Sequence, residues 1–146
     1  MMKLIRKLIR LMSGSLPEAI ALLFTRVALA GIFWRSARTK VEDGSLLQMS
    51  DTTVYLFKEE YGMPYPEITG LLATYAEHFF PIIIVLGLFT RLGAAGLLFM
   101  TLVIQFFVYP EAWWQTHILW VALTLILITR GGGLFSLDRL IGHKFG

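Results

Sequence analysis

The sequence predicts an all-α protein, a bundle of four transmembrane helices, and three observations lead to that expectation. Hydrophobic residues make up 56% of the 146 residues and charged residues only 16%, whereas soluble domains usually have about 45–50% and about 25%. The apolar residues gather in segments of about 17 to 22 residues, which is the length that an α-helix needs to cross a bilayer. Short turns rich in glycine, proline or arginine separate these segments. We therefore expect one membrane domain over residues 1–146.

The first predicted element is a basic amphipathic helix over residues 1–15. Leucine and isoleucine side chains share one helical face, and four basic residues, Lys3, Arg6, Lys7 and Arg10, share the other. This pattern is typical of a helix that lies in the plane of an anionic leaflet. A signal peptide is the alternative, because residues 28–30 (Ala-Leu-Ala) resemble a cleavage site, but its apolar core would span only about seven residues.

Four membrane spans follow, at about residues 17–38, 68–89, 93–109 and 113–129. Between the first two lies the only long hydrophilic stretch, residues 39–66, where Ser50 begins a short helix that Gly62 ends. We expect this helix to rest on the outer face of the membrane. The later turns are only a few residues long, so the last three spans should pack antiparallel to one another.

The distribution of lysine and arginine predicts the orientation of the chain. Cytoplasmic segments of membrane proteins carry an excess of these residues. One side of the predicted bundle has only Lys40 and Lys58, with Arg35 and Arg38 at the boundary. The other side is much more basic, so we expect both termini in the cytoplasm. Its basic residues are Lys3, Arg6, Lys7, Arg10, Arg91, Arg130, Arg139 and Lys144.

Glu77 is the most informative residue, because a carboxylate inside a span needs a partner, a cavity or a proton. Every span offers one narrow polar line, and the lines should meet inside the bundle. We expect a polar pocket around Glu77, open towards the outer face. Glu77 itself has three possible roles: a structural ion pair with Arg26 or Arg35, a ligand or quinone site, or a metal or proton site. We expect an arginine of the first span to be its partner. The candidate residues are Arg26, Arg35, Arg38, Glu77, Gln105 and His117.

Two neighbours of Glu77 refine this hypothesis. His78 lies about 100° around the helix from Glu77, so the two side chains should not share a tight metal site. No metal ligands are therefore assigned. Pro81 cannot donate a hydrogen bond to the carbonyl of residue 77, which predicts a kink or a widened turn near that point.

Several segments of the sequence resemble one family. They are residues 86–91 (Leu-Gly-Leu-Phe-Thr-Arg) after the glutamate-bearing span, residues 132–139 (Gly-Gly-Leu-Phe-Ser-Leu-Asp-Arg), residues 26–40 and residues 55–64. Together they are similar to the DoxX family of small bacterial inner-membrane proteins. The resemblance implies a four-helix bundle in that membrane. It also implies an association with quinone-linked oxidoreductases, thiol-redox or oxidative-stress complexes, or metal handling.

The expected function is that of an accessory subunit in such a system. The chain has no cysteine, and no two histidines share a helical face, so it should not hold a haem or an iron–sulfur cluster by itself. An intrinsic enzyme is not expected; a redox activity would be that of a quinone-linked complex. A quinone is the candidate cofactor. The expected partners are the lipid bilayer and a redox or metal-handling protein, and nucleic acid is not expected. The alternatives are a small transporter or metal-handling protein with Glu77 as its switch, and a structural anchor.

Overall fold

The computed structural model describes residues 2–142, apart from the side chains of Lys3, Lys7 and Leu8. Lys144 of the predicted basic set therefore lies outside the described residues. The described chain forms seven α-helices with π-helical and 3₁₀ turns, and beyond one isolated β-bridge this part of the chain contains no strand. The helices are α1 (Met2–Met12), α2 (Ser15–Arg38), α3 (Asp51–Tyr55), α4 (Pro66–Leu86), α5 (Thr90–Val103), α6 (Ile118–Arg130) and α7 (Leu137–Leu140).

Four of the helical segments are long and apolar enough to cross a membrane. They are Ser15–Arg38, Pro66–Leu86, Thr90–Val108 and Pro110–Arg130, with mean hydropathies of 1.7, 1.5, 1.8 and 1.4. The outward faces of these segments carry exposed phenylalanine and leucine side chains, as a lipid solvent requires. The predicted all-α membrane bundle is confirmed. α1 exposes Leu4, Ile5 and Ile9, which fits the predicted amphipathic helix.

The four spans define two ends of the bundle. Glu18 near the start of α2 pairs with Arg130 at the end of α6, and α7 bonds to the start of α5. We call this end the termini side. The opposite end is the loop side, where residues 39–65 and the α5–α6 connection lie. Which side faces the cytoplasm stays a prediction.

The boundary between α4 and α5 lies earlier in the chain than predicted. Gly87 ends α4 in the left-handed region at φ 67°, Phe89 is also left-handed at φ 48°, and α5 already begins at Thr90. The predicted turn at residues 90–92 was therefore three residues late. Asp138, far away in sequence, supplies the cap that starts α5 at Thr90, as described below.

π-helical turns surround the connection of α5 to α6 on the loop side. Ile104–Val108 and Trp113–His117 are π-helical and flank a 3₁₀ turn at Pro110–Ala112. A third π-helical turn, Leu56–Glu60, continues α3. α4 by contrast is α-helical through Pro81. A kink or a widened turn was expected there; the helix shows no widened turn, so the kink is the alternative that stays a prediction.

The core lies where α2, α4, α5 and α6 meet. Phe33 of α2, Ile84 of α4, Leu97 of α5 and Leu127 of α6 are all buried in one cluster. α4 and α5 approach closely at Gly96, where a Cβ would lie only 2.4 Å from the Phe80 ring. Small residues allow such approaches in membranes, where helix association relies on packing.

The segment between α2 and α4 covers the loop side of these two helices. Val41 and Met49 form an isolated antiparallel bridge. The Met49 sulfur lies against α4, where a Cβ at Gly70 would come within 2.9 Å of it, and Phe57 is buried at the same place. The predicted outer helix therefore exists as α3 with its π-helical turn, and it packs on the bundle.

Candidate functional site

The charge of Glu77 is matched by Lys40. The Lys40 Nζ lies 2.7 Å from the Glu77 Oε2, and the side chains are 16% and 2% exposed. Both charges are largely removed from water, which is costly. Coulomb attraction alone offsets this cost poorly, so such a pair also needs hydrogen bonds. Lys40 also donates to the Ser36 hydroxyl at 2.9 Å. The ammonium group is therefore fixed between α2 and α4.

The main chain at Lys40 is held by the segment that follows it. Its carbonyl accepts hydrogen bonds from the Thr53 hydroxyl at 2.9 Å and from the Ser50 N–H at 3.0 Å. Ser50 in turn caps α3 by accepting from the Thr53 N–H at 3.3 Å. The ion pair thus joins the start of α3 to the middle of α4, and it couples the loop-side segment to the membrane helices.

The predicted arginine partner for Glu77 is wrong. Arg38 donates to the Ser45 carbonyl at 2.6 Å, and Arg35 is exposed beside a groove along Gly31. Sequence reasoning missed Lys40 because it lies two residues beyond the predicted end of the span. One signal was available, since Ser36 and Lys40 are four apart and so share a helical face.

Gln105 and His117 form a second polar pair on the loop side. The His117 Nδ1 lies 2.7 Å from the Gln105 Oε1, and the Gln105 Nε2 donates to the Pro110 carbonyl at 2.8 Å. Since this amide orientation makes Oε1 the acceptor, His117 carries its proton on Nδ1 and leaves a lone pair on Nε2. The π-helical turns bring the two residues together. The His117 ring packs 5.0 Å from Trp120, centroid to centroid.

His78 is buried at the α2–α4 interface and keeps one nitrogen without a partner. Its Nδ1 lies 2.7 Å from the Thr74 carbonyl, so Nδ1 carries the proton. The buried Nε2 makes no hydrogen bond to any described residue. Trp34 meets the ring edge-on, with centroids 5.1 Å apart. His78 therefore contacts α2, about 100° around α4 from the direction of Glu77.

Arg26 lies at the other end of the bundle, away from the Glu77 pair. Its Nη1 donates to the Val85 carbonyl at 2.8 Å, and its Nη2 donates to the Phe135 carbonyl at 2.6 Å. The side chain is fully buried. The expected pairing of Arg26 with Glu77 is therefore wrong. The guanidinium instead binds the Phe135 carbonyl and the Val85 carbonyl at the C-terminal end of α4, where a cation is favoured by the helix dipole.

Asp138 supports the same junction from α7. Its carboxylate accepts from the N–H groups of Phe89 and Thr90 at 2.7 and 2.9 Å, and from the Thr90 hydroxyl at 2.7 Å. It is only 3% exposed. These donors are the unsatisfied N–H groups at the start of α5, so Asp138 acts as a remote N-cap. Sequence analysis did not single it out, although it lies in the glycine-rich terminal motif.

The two glycine-containing stretches at residues 86–91 and 132–139 meet at Arg26 and Asp138. A sequence profile comparison finds that the profile of the DoxX family matches residues 21–110, more than half of the chain. The chain belongs to the DoxX family. Comparisons with curated proteins and with solved structures find no match. The matched stretch of this DoxX chain includes Arg26, Lys40 and Glu77 and ends before His117 and Asp138.

The six candidate residues of this DoxX chain do not form one pocket. The structure separates them into an ion pair at Glu77, an amide–imidazole pair at Gln105 and His117, and an arginine clamp at Arg26. Arg35 and Arg38 belong to none of these. Within residues 2–142 no three histidine, aspartate or glutamate side chains are grouped to hold a metal ion.

Proposed function

We propose that this DoxX-family membrane protein is an accessory subunit of a redox or stress-response system and is not itself catalytic. The proposal rests on one observation: the buried charges of Glu77 and Arg26 both have bonding partners. Glu77 is bound by Lys40, and Arg26 is bound by carbonyls of α4 and of Phe135. Catalytic groups are usually held unpaired or with a perturbed proton affinity in a cleft, and these charges are committed to holding helices together.

The arrangement also favours docking of a partner from the loop side. Residues 39–65 are fixed on the bundle by the Lys40–Glu77 pair, and they present charged residues to the aqueous phase. Glu42, Asp43, Glu59 and Glu60 are all exposed there. A rigid acidic surface of this kind suits a partner with a basic surface, because complementary charge steers association.

We propose a quinol as the ligand of the loop-side half. His78 keeps a buried Nε2 lone pair without a partner among the described residues, and the tautomer of His117 leaves a lone pair on its Nε2 as well. The hydroxyl of a hydroquinone donates a hydrogen bond to such an acceptor, and its ring is apolar. Trp34 and Trp120, which pack on these two imidazole rings, would provide aromatic contact for its ring.

Purification from native membranes tests the accessory role. The protein is cross-linked in the membrane, extracted and analysed by mass spectrometry for bound proteins and quinones. We expect a redox protein in constant ratio with the chain, and less of it when Glu42 and Asp43 are replaced by lysine. Purified chain that catalyses quinone turnover by itself in liposomes would contradict the proposal.

The alternative transporter hypothesis is tested in the same liposomes. A transporter that uses Glu77 as a switch would pass protons or metal ions across the vesicle membrane, and Glu77→Gln would abolish that flux. We expect no flux from the parent protein, because the Glu77 carboxylate is buried and engaged by Lys40 and so has no open path to either aqueous phase. Flux in the parent that Glu77→Gln removes would assign the chain to transport.

The quinone hypothesis is tested with a soluble short-chain quinol and a histidine series. His78→Phe keeps the aromatic contact with Trp34 and removes the lone pair, so we expect weaker binding by roughly tenfold, the effect of one lost hydrogen bond in an apolar site. Tyr55→Phe, on the exposed face of α3, is the control. Equal binding by the parent and His78→Phe would exclude His78 as a ligand.

A further inference from the structure

A cavity of about 460 Å³ with both polar and apolar walls lies on the termini side, separate from His78 and His117. Its wall combines the start of α2, the end of α6 and the glycine-rich turn that leads into α7. The volume is within the range of ligand pockets in proteins. No residue of the loop-side half lines it. The accessory role proposed above does not use this cavity.

The cavity lies at the termini-side end of the span that α2 forms. α2 has 24 residues, which gives a length of about 36 Å, while the hydrocarbon core is about 30 Å thick. An α2 that crosses the bilayer therefore has more length than the hydrocarbon needs, which leaves room for its first residues at the headgroup level. Ser15 and Glu18 line the cavity in this region. Leu134, also in the wall, is exposed and offers an apolar edge next to the polar interior.

Two arginines contribute positive charge to the wall of the cavity. Arg130 and Arg139 both line it and both are exposed. Arg130 contacts Glu18 through its Nε at 3.3 Å, with side chains 66% and 45% exposed. An exposed pair of this kind contributes little, so a phosphate can compete for the guanidinium. Guanidinium groups bind phosphate oxygens in bidentate geometry.

Asp138, which lines the cavity together with Glu18, is already engaged. Both carboxylate oxygens of Asp138 accept hydrogen bonds from the start of α5. By contrast, the N–H groups of Gly132, Gly133 and Leu134 donate to no acceptor within the described residues. Buried main-chain N–H groups are normally paired, and Gly132 is buried. These amides add donors to a wall that already holds two guanidinium groups.

We propose that the termini-side cavity binds the phosphate of an anionic phospholipid, with Arg130 and Arg139 as its charged ligands. The exposed Arg6 and Arg10 of α1 lie on the same side and raise the local concentration of anionic lipid. Basic pockets between transmembrane helices at this level recognise such headgroups. The acyl chains would leave the cavity past Leu134 into the bilayer.

Binding of short-chain lipids to the full-length protein in neutral detergent tests this assignment. Dihexanoyl phosphatidylglycerol is compared with the phosphatidylcholine of equal chain length, and folding of every variant is checked by helical content and thermal unfolding. We expect the parent to prefer phosphatidylglycerol. Arg130→Gln and Arg139→Gln should each weaken its binding roughly tenfold, as expected for one lost charge-assisted hydrogen bond.

Two variants separate the proposal from general effects of charge and stability. Arg35→Gln removes the same charge from an exposed arginine at the other end of α2, and we expect no change in lipid binding. Glu18→Gln removes the carboxylate that competes for Arg130 and should strengthen binding, which a purely structural pair would not do.

The results that overturn the proposal are equally specific. Phosphatidylcholine bound as tightly as phosphatidylglycerol would exclude recognition of the anionic headgroup. Unchanged binding in the double variant Arg130→Gln/Arg139→Gln, or equal loss in Arg35→Gln, would exclude the cavity. Inorganic phosphate that displaces the lipid at similar concentrations would assign the cavity to a soluble phosphate compound instead.

Discussion

The two ends of the bundle hold their buried charges in different ways. On the termini side, Arg26 and Asp138 bond to main-chain groups at helix ends. On the loop side, Lys40 and Glu77 bond to each other. A main-chain group cannot be removed by substitution, so loss of its partner leaves a buried polar group unsatisfied. A side-chain pair can be removed as a unit. We therefore expect matched double substitutions to restore stability on the loop side and not on the termini side.

The largest effect is expected for Asp138→Ala. The substitution leaves two N–H groups and a hydroxyl at the start of α5 without an acceptor, so we expect the free energy of unfolding to fall by about 3–5 kcal/mol, as for a broken buried pair. Unfolding in mixed detergent micelles measures it. Asp43→Ala, in the exposed loop, is the control. Arg26→Met combined with Asp138→Ala should be at least as unstable as the worse single variant, because each substitution leaves its own main-chain groups unsatisfied; recovery in the double variant would remove the distinction between the two ends.

The loop-side pair provides the matching experiment. Lys40→Met leaves Glu77 buried without a partner and should cost about 2–4 kcal/mol. Glu77→Gln should cost less, about 1–2 kcal/mol, because the partly exposed Lys40 ammonium can reach water. Lys40→Met/Glu77→Gln should recover to within about 1 kcal/mol of the parent. A double variant as unstable as Lys40→Met alone would show that the pair is not an independent unit.

Gly87→Ala examines the packing of the termini-side junction. A Cβ at Gly87 would lie 2.5 Å from both the Arg26 Nη1 and the Ser136 Cβ, and φ is +67°. We expect a loss of about 2–3 kcal/mol, from overpacking added to left-handed strain. Gly44→Ala separates the two causes, because Gly44 has φ +80° but open space around it. Equal losses in both variants would mean that strain alone accounts for the effect.

The smallest effect is expected at the loop-side rim. The Tyr61 and Tyr109 hydroxyls lie 3.1 Å apart, and burial, followed by this hydrogen bond, raises the pKa of the Tyr61 phenol above its usual value. Tyr61→Phe should cost less than about 1 kcal/mol at neutral pH. Tyr55→Phe is the control, since Tyr55 is exposed.

The same pair predicts a pH dependence with a defined sign. Because the pKa of Tyr61 is raised on folding, its contribution is complete below the pKa of the unfolded chain, about 10. It is lost as the pH rises through the higher folded value. Stability measured across the alkaline range should therefore fall less steeply in Tyr61→Phe than in the parent. Identical alkaline profiles would show that the phenol does not titrate with unfolding.

The fold could be predicted from the sequence because the features that determine it are local. Apolar segments long enough to span a bilayer and the short turns between them can be read one segment at a time. They predicted four spans, and they predicted the short helix that Ser50 caps. The α4–α5 boundary was placed late because its cap, Asp138, comes from a residue almost fifty positions away.

The candidate site depended on partners that local patterns cannot identify. Helical periodicity predicted a polar line on each span, and it marked Glu77 as a residue that needs a partner. Which cation reaches Glu77 depends on how α2 and α4 cross and on the path of the chain after α2. Only the tertiary structure brought Lys40 to Glu77, turned Arg26 towards the carbonyls of α4, and used π-helical turns to join Gln105 to His117. The physical reason is that a buried charge selects its partner by distance and geometry in the packed bundle, while the sequence records only that a partner is required.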